Sequence, residues 1–156
     1  MHTHDDGDKV LASIESAMVA IRRRQTRRAL ARGFGEVDRA LFDVVDAVED
    51  GELGHRDVTV TDIAAALDVA QPRASKLVAA AVEAGLIRRE ADQRDGRRAF
   101  LVRTVAGREL SDRVHASRRG RFARATADWT AAERATFAQL LGRFVDGLTD
   151  PGAERH

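Results

Sequence analysis

Residues 59–85 read Thr59-Val-Thr-Asp-Ile-Ala-Ala-Ala-Leu-Asp-Val-Ala-Gln-Pro-Arg-Ala-Ser-Lys-Leu-Val-Ala-Ala-Ala-Val-Glu-Ala-Gly85, and they encode two short helices with a tight turn between them. Thr59-Val60-Thr61-Asp62 is a capping-box pattern, a hydroxyl at the N-cap and an acid three residues later. Val58 and Ile63 stand at the staple positions on either side of it. Ile63, Ala64 and Leu67 then make a short helix that stops at Asp68, a residue type that tolerates the left-handed backbone. A second helix starts at Gln71-Pro72, because proline in the first turn lacks only an N–H that has no helical partner there. Ala74, Leu77, Val78, Ala81 and Val82 recur at helical spacing and form its inward stripe. Gly85 sits where a glycine just past a helix end belongs.

Downstream the period changes from helix to strand. Leu86-Ile-Arg-Arg-Glu90 and Ala99-Phe-Leu-Val-Arg103 are strand candidates, joined by Ala91-Asp-Gln-Arg-Asp-Gly-Arg-Arg98 with Asp95-Gly96 at the tip. Thr104 can cap a long fifth helix containing Leu110, Val114, Phe122 and Ala125. Thr130-Ala-Ala-Glu133 is a second capping box, opening a sixth helix with Phe137, Leu140, Leu141, Phe144, Val145 and Leu148. Upstream, Val10, Leu11, Ile14, Ala17, Met18 and Ile21 give one apolar stripe to a helix from about Asp8 to Arg32, which Gly33 and Gly35 end. Val37, Leu41, Val44, Val45 and Val48 make a second helix ending near Gly51, and residues 51–57 read as a polar loop. The expected order is ααααββαα: mainly α with a small β-hairpin wing, a winged helix-turn-helix core, and N- and C-terminal dimerisation helices.

Composition narrows the function. The 156 residues are 44% hydrophobic and include no cysteine, which excludes disulfides, thiolate zinc sites, cysteine nucleophiles and thiol sensing. No apolar run approaches the ~18 residues of a membrane helix. The opening Met1-His-Thr-His-Asp-Asp lacks a basic then apolar signal pattern, so a soluble cytoplasmic protein is expected. The net charge of +1 conceals segregation. Arg22–Arg32 holds six arginines and no acid, residues 33–57 carry a balance of −6, and residues 103–124 one of +5. Such blocks can dock on each other or steer a polyanion.

Two short helices followed at once by a basic hairpin is the layout of a winged helix-turn-helix. With the apolar stripe turned inward, Gln71, Pro72, Arg73, Ser75, Lys76 and Ala79 face outward, offering an amide, a guanidinium, a hydroxyl and an ammonium. These are the groups that read base edges and hold phosphates. Small Ala79 and Ala80 allow close approach to a groove. Arg94, Arg97 and Arg98 in the hairpin loop suit a narrow, electronegative minor groove.

Residues 58–110 resemble the winged-helix core of the MarR family of transcription regulators. The most specific part is Asp-x-Arg-Asp-x-Arg-Arg (Asp92 to Arg98) followed by Thr-x-x-Gly-Arg (Thr104 to Arg108). The resemblance implies a homodimer on double-stranded DNA with a pseudo-palindromic operator. It places the helix from Gln71 in the major groove and Arg94 or Arg97 in the minor groove, with Asp92 orienting the wing through a salt bridge to one of its arginines. It also implies a small organic effector bound between the dimer helices and the winged helix. The chain departs from the family at Ala70, often Ser, and at Asp68, often Gly, and its second helix is notably acidic.

The candidate DNA-binding residues are therefore Thr59, Thr61, Gln71, Pro72, Arg73, Ser75, Lys76, Arg94, Arg97 and Arg98. The expected organisation is a tail over 1–7, dimerisation regions over 8–35 and 105–150, the winged helix over 36–104, and a tail over 151–156. The Arg22–Arg32 cluster and Arg118, Arg119, Arg121 and Arg124 are read as solvated or ion-paired faces rather than further DNA surfaces. His2 and His4 belong to a tail, His55 and His115 are isolated, and Trp129 packs near the start of the last helix. No cofactor or metal is expected. No nucleophile–base spacing, phosphate-cradling glycine loop or H-E-x-x-H motif points to an enzyme. The function expected is a sequence-specific, dimeric DNA-binding regulator, acting as a repressor. Its alternatives are a winged-helix protein-interaction module and a non-specific architectural DNA-binding protein.

Overall fold

The computed structural model describes residues 3–31, 36–96 and 98–149. The chain divides into two compact units, 1–108 and 109–156. Its elements are α1 (Thr3–Ala31), α2 (Glu36–Leu53), α3 (Val60–Leu67), α4 (Gln71–Glu83), β1 (Ile87–Ala91), β2 (Ala99–Arg103), α5 (Val105–Ala125) and α6 (Ala131–Thr149). This is the expected order, with three shifted boundaries. α1 begins at Thr3 rather than near Asp8. α2 runs through Gly51 to Leu53; Gly51 serves packing rather than helix termination, since a side chain there would overlap the Val58 methyl. Leu86 stays out of the ladder because its N–H bonds Ala81 O and its carbonyl accepts Thr104 N–H, both at 3.0 Å. Gly33, Gly35 and the C-terminal tail lie outside the described residues.

The core of the first unit is built from the apolar spacings. α2 contributes Val44, Val45 and Val48, α3 Ile63 and Ala64, α4 Ala74, Val78 and Ala81, and the hairpin Ile87 and Leu101, with Val58 from the preceding loop. Leu41, Leu67, Leu77 and Val82 are half-buried around it. Each fully buried valine or isoleucine contributes about 1.5–3 kcal/mol, which is what holds α4 against α2 and α3.

The helix ends follow local chemistry. At α3, Asp62 N–H donates to Thr59 Oγ1 (3.4 Å) while Thr59 N–H donates to Asp62 Oδ2 (2.7 Å), closing the capping box. The Thr59 hydroxyl, which also donates to Asp62 Oδ2, and after it the Thr59 backbone N–H hold the Asp62 carboxyl below the usual carboxylate range. Asp68 ends the helix at φ 51° and ψ 50°. Its N–H bonds Ala65 O and that of Val69 bonds Ala64 O, a Schellman arrangement with aspartate at the position that favours glycine. At α4, Ala70 is an extended N-cap with no side-chain bond and Pro72 lies in the first turn. Gly85 at φ 71° turns the chain out of the helix.

The hairpin is antiparallel, pairing Ile87 with Arg103, Arg89 with Leu101 and Ala91 with Ala99. Val58 adds a one-residue bridge to Leu101, with Leu101 N–H donating to Val58 O at 2.7 Å. A single residue has no period, so nothing in the sequence announces it. Thr104 then joins the hairpin to α5. Its hydroxyl donates to the carbonyls of Gly85 (2.6 Å) and Leu86 (3.1 Å) and accepts Gly107 N–H (3.1 Å). A Cβ at Gly107 would overlap the Leu86 carbonyl oxygen, which explains the Thr-x-x-Gly spacing physically.

In the second unit Thr130 and Glu133 form the expected capping box, Thr130 N–H to Glu133 Oε2 at 2.7 Å and Glu133 N–H to Thr130 Oγ1 at 3.2 Å. Trp129 packs edge-on against Phe137 with ring centroids 5.3 Å apart, where the sequence places it. Among the described residues no helix is long and apolar enough to cross a membrane.

Candidate nucleic-acid interface

α4 separates its two faces as its spacing requires. Ala74, Val78 and Ala81 are fully buried, while Gln71, Pro72, Arg73, Ser75, Lys76 and Ala79 are exposed. Ala80 is half-buried, so of the two small residues Ala79 lies on the open side. The Gln71 amide donates to Thr61 Oγ1 at 3.3 Å, so α3 and the start of α4 present one continuous polar edge. Arg73 and Ala74 N–H both return to Ala70 O, and Pro72 has no N–H. The first turn of α4 therefore offers few backbone donors, and binding chemistry rests on its side chains. Thr59 is already engaged, its hydroxyl donating to Asp62 Oδ2 at 2.6 Å; a phosphate contact from it would compete with the cap.

The wing loop is shaped by Asp92. Its Oδ1 accepts Arg94 N–H at 2.8 Å, its own N–H donates to Arg98 O at 2.9 Å, and Arg98 N–H donates to Asp95 O at 2.9 Å. Asp92 thus orients the loop through the backbone of Arg94. The arginine salt bridge implied for it includes Arg97 as a candidate, and Arg97 lies outside the described residues. Arg94 and Arg98 are exposed at the loop. The tip turn spans Asp95 to Arg98, and Gly96 there does not need a positive φ. On β1, Arg88 pairs with Glu90, two residues along the same strand face.

The base of the wing holds a feature that linear patterning does not reveal. Arg103 N–H and Nε donate to the two oxygens of Glu52 at 2.8 and 2.9 Å, and Nη1 donates to Glu49 Oε1 at 2.6 Å. The acidic and basic blocks meet at this pair of α2 carboxylates. Charge counting alone leaves open whether the acidic block docks on a basic one or faces solvent, because the partner of these acids lies about 50 residues away. Among the described residues no three His or carboxylate groups converge as a metal site. Arg22, Arg118 and Arg121 each engage a partner.

The sequence profile of the MarR family matches residues 42–98. That span contains the helix-turn-helix and the wing loop. The likeness to the MarR family lies in this winged helix. MarR members are transcription regulators, not enzymes. Solved structures agree on the fold. A MarR family protein from Bacillus stearothermophilus superposes with a TM-score of 0.73 at 16% identity, covering 92% of this chain and 98% of its own. A Pseudomonas aeruginosa protein, provisionally described as a transcriptional regulator, gives 0.68 at 26% identity, covering 91% and 96%. S. aureus MepR bound to ethidium bromide gives 0.59 at 19% identity, covering 88% and 96%. No curated protein matches. Of the departures from MarR pattern, Asp68 adopts the left-handed turn that glycine usually supplies, and Ala70 leaves the N-cap of α4 without a side-chain bond.

Proposed function

We propose that the protein is a homodimeric, sequence-specific DNA-binding transcription regulator, acting as a repressor, whose affinity for its operator is set by a small organic ligand. The observation that carries this reading is the outward face of α4. Gln71, Arg73, Ser75 and Lys76 stand exposed on a helix whose other side packs into the core through Ala74, Val78 and Ala81, so the helix can enter a major groove without unfolding its support. Gln71 and Arg73 would read base edges, Pro72, Ser75, Lys76 and Thr61 would sit against the backbone, and Arg94, Arg97 and Arg98 would enter the minor groove. Residues 36–104 would bind DNA, and 8–35 with 105–150 would form the dimer.

The dimer is supported by apolar surface that a lone chain leaves in water. α1 exposes Val10, Leu11, Ile14 and Ile21, and α6 exposes Phe137, Leu140, Leu141, Val145 and Leu148. Soluble monomers rarely leave such contiguous apolar stripes open. Ligand control is supported by fold likeness: MepR was solved with ethidium bromide, and a MepR mutant with an oligodeoxyribonucleotide.

The test is selection of bound sequences from random DNA, followed by alanine variants. Arg73→Ala or Gln71→Ala should relax base preference, at about 1–3 kcal/mol per lost bidentate contact. Arg94→Ala or Arg97→Ala should weaken binding on all sequences and lower the salt slope by about one. No enriched motif would replace the regulator reading with a non-specific architectural one. No DNA binding at all would leave a protein-interaction module, a reading the shortage of exposed aromatic groups on α4 disfavours.

A further inference from the structure

The wing is two five-residue strands, and such a hairpin has marginal stability alone. Its cationic loop is useful only if its base is held at one angle. Ile87 and Leu101 anchor the base in the core, and Val58 bridges Leu101. Apolar anchors resist withdrawal but permit rocking, since their contacts are non-directional. The directional restraint is Arg103, the last residue of β2.

Its guanidinium is only 10% exposed, and its partners Glu49 and Glu52 are 12% and 24% exposed. Glu49 and Glu52 are three residues apart on α2, hence neighbours on one face. Glu52 takes the Arg103 backbone N–H on one oxygen and Nε on the other, while Glu49 takes Nη1. The strand itself is therefore tied to α2, not just a side chain. A buried ion network of this kind is a poor source of stability, because well-packed apolar residues of similar volume do as well or better. What it adds over apolar packing is a single geometry, since a fork with fixed donors admits one arrangement of its acceptors.

We infer that Arg103, gripped by Glu49 and Glu52, is a positioning residue that fixes the angle of the wing on α2 and so aims Arg94 and Arg98 at DNA. The inference rests on the wing being a DNA contact, as proposed above. Its own content is mechanical and can be read without DNA.

The test is a triple variant, Arg103→Met with Glu49→Leu and Glu52→Gln, which replaces the ions by matched volume and keeps an acceptor for the strand N–H. The protein has no cysteine, so spin labels can be placed uniquely at Gln93→Cys on the wing and Leu53→Cys at the end of α2. Labelled chains are diluted in unlabelled protein and the distance distribution is measured by pulsed electron resonance. The wild-type background should give one narrow distribution, and the triple variant a clearly broader one at a melting temperature no lower than wild type. On operator DNA its salt slope should fall by about 1.8, the loss of two phosphate neutralisations, while the base preference set by α4 persists. An unchanged distance width in a folded variant overturns the inference, whatever happens on DNA. If the width broadens but Arg94→Ala/Arg98→Ala leaves wild-type DNA binding untouched, the clamp stands and the DNA role of the wing falls. Should the triple variant fail to fold, Glu49→Gln alone removes one charged arm and must broaden the distribution in the same direction.

Discussion

Gly107→Ala is the sharpest single test of how the winged helix is joined to α5. The new Cβ would overlap the Leu86 carbonyl oxygen and lie 3.4 Å from Arg103 Cβ. A comfortable carbon–oxygen contact is about 3.3 Å, so the first turn of α5 must move away by roughly 1 Å. Leu86 O accepts Thr104 N–H (3.0 Å) and the Thr104 hydroxyl (3.1 Å), and that hydroxyl also donates to Gly85 O (2.6 Å). The shift lengthens all three bonds, each worth about 1 kcal/mol net. Against that, alanine gains about 1 kcal/mol over glycine inside a helix. The balance is a destabilisation of about 2 kcal/mol, or roughly 4–8 °C in Tm for a chain of this size. Urea unfolding followed by far-ultraviolet circular dichroism measures it. Gly96→Ala is the control: no atom lies within 4 Å of its Cβ, so the same change should be neutral or stabilise by up to about 1 kcal/mol. A Gly107→Ala protein as stable as wild type would falsify the account of the Thr-x-x-Gly spacing.

Four further outcomes are expected. Ala70→Ser should stabilise α4 by about 1 kcal/mol by supplying the missing cap, seen as a higher Tm, and should tighten DNA binding by adding a phosphate donor. Asp62 has a depressed pKa in the folded chain, so its contribution is complete above the ordinary carboxylate pKa of about 4 and is lost as pH falls through the depressed value. Asp62→Asn should accordingly flatten the acid limb of a stability–pH curve and leave a smaller effect at pH 2 than at pH 7. On the dimer reading, raising protein concentration a hundredfold should stabilise the fold by about 2.7 kcal/mol, and a melting temperature independent of concentration would speak for a monomer. Dilute peroxide should not release the protein from DNA in a manner that thiols reverse, because the sequence contains no cysteine; reversible release in a gel-shift assay would contradict this.

Local signals were the legible ones. The capping boxes at Thr59–Asp62 and Thr130–Glu133, the left-handed Asp68, Pro72 in the first turn and Gly85 past the last are all short-range chemistry. The inward stripe of α4 was legible because helical spacing alone separates Ala74, Val78 and Ala81 from Gln71, Arg73 and Lys76. What escaped reading is long-range. Val58 joins Leu101 across 43 residues of chain, and Arg103 finds Glu49 and Glu52 across about 50. Neither pairing has a period, and charge counting placed those acids in a block without saying which basic residue it meets. Gly107 belongs to the same class. Its spacing from Thr104 was visible as a motif, yet the reason for it is a carbonyl from the far side of the hairpin.

The character of the core explains why those long-range polar links matter. Its largest fully buried apolar side chains are Ile63, Ile87 and the four valines Val44, Val45, Val48 and Val78, and among the described residues the buried cluster contains no aromatic ring. Small side chains let helices and loops pack closely, as Gly51 under Val58 and Gly107 under Leu86 show, but each brings little area. Burial of a dozen such residues suffices to collapse the unit, whereas its shape-independent energy leaves the hairpin and the α3–α4 pair free to adjust. Directional bonds then have to set the angles. The Thr104 hydroxyl ties the end of the hairpin to the carbonyls of Gly85 and Leu86, Gln71 to Thr61 joins the two short helices, and Arg103 sets the wing on α2. A face that reads bases must hold its groups to a fraction of an ångström, and in this chain polar links between elements, rather than bulk in the core, supply that precision.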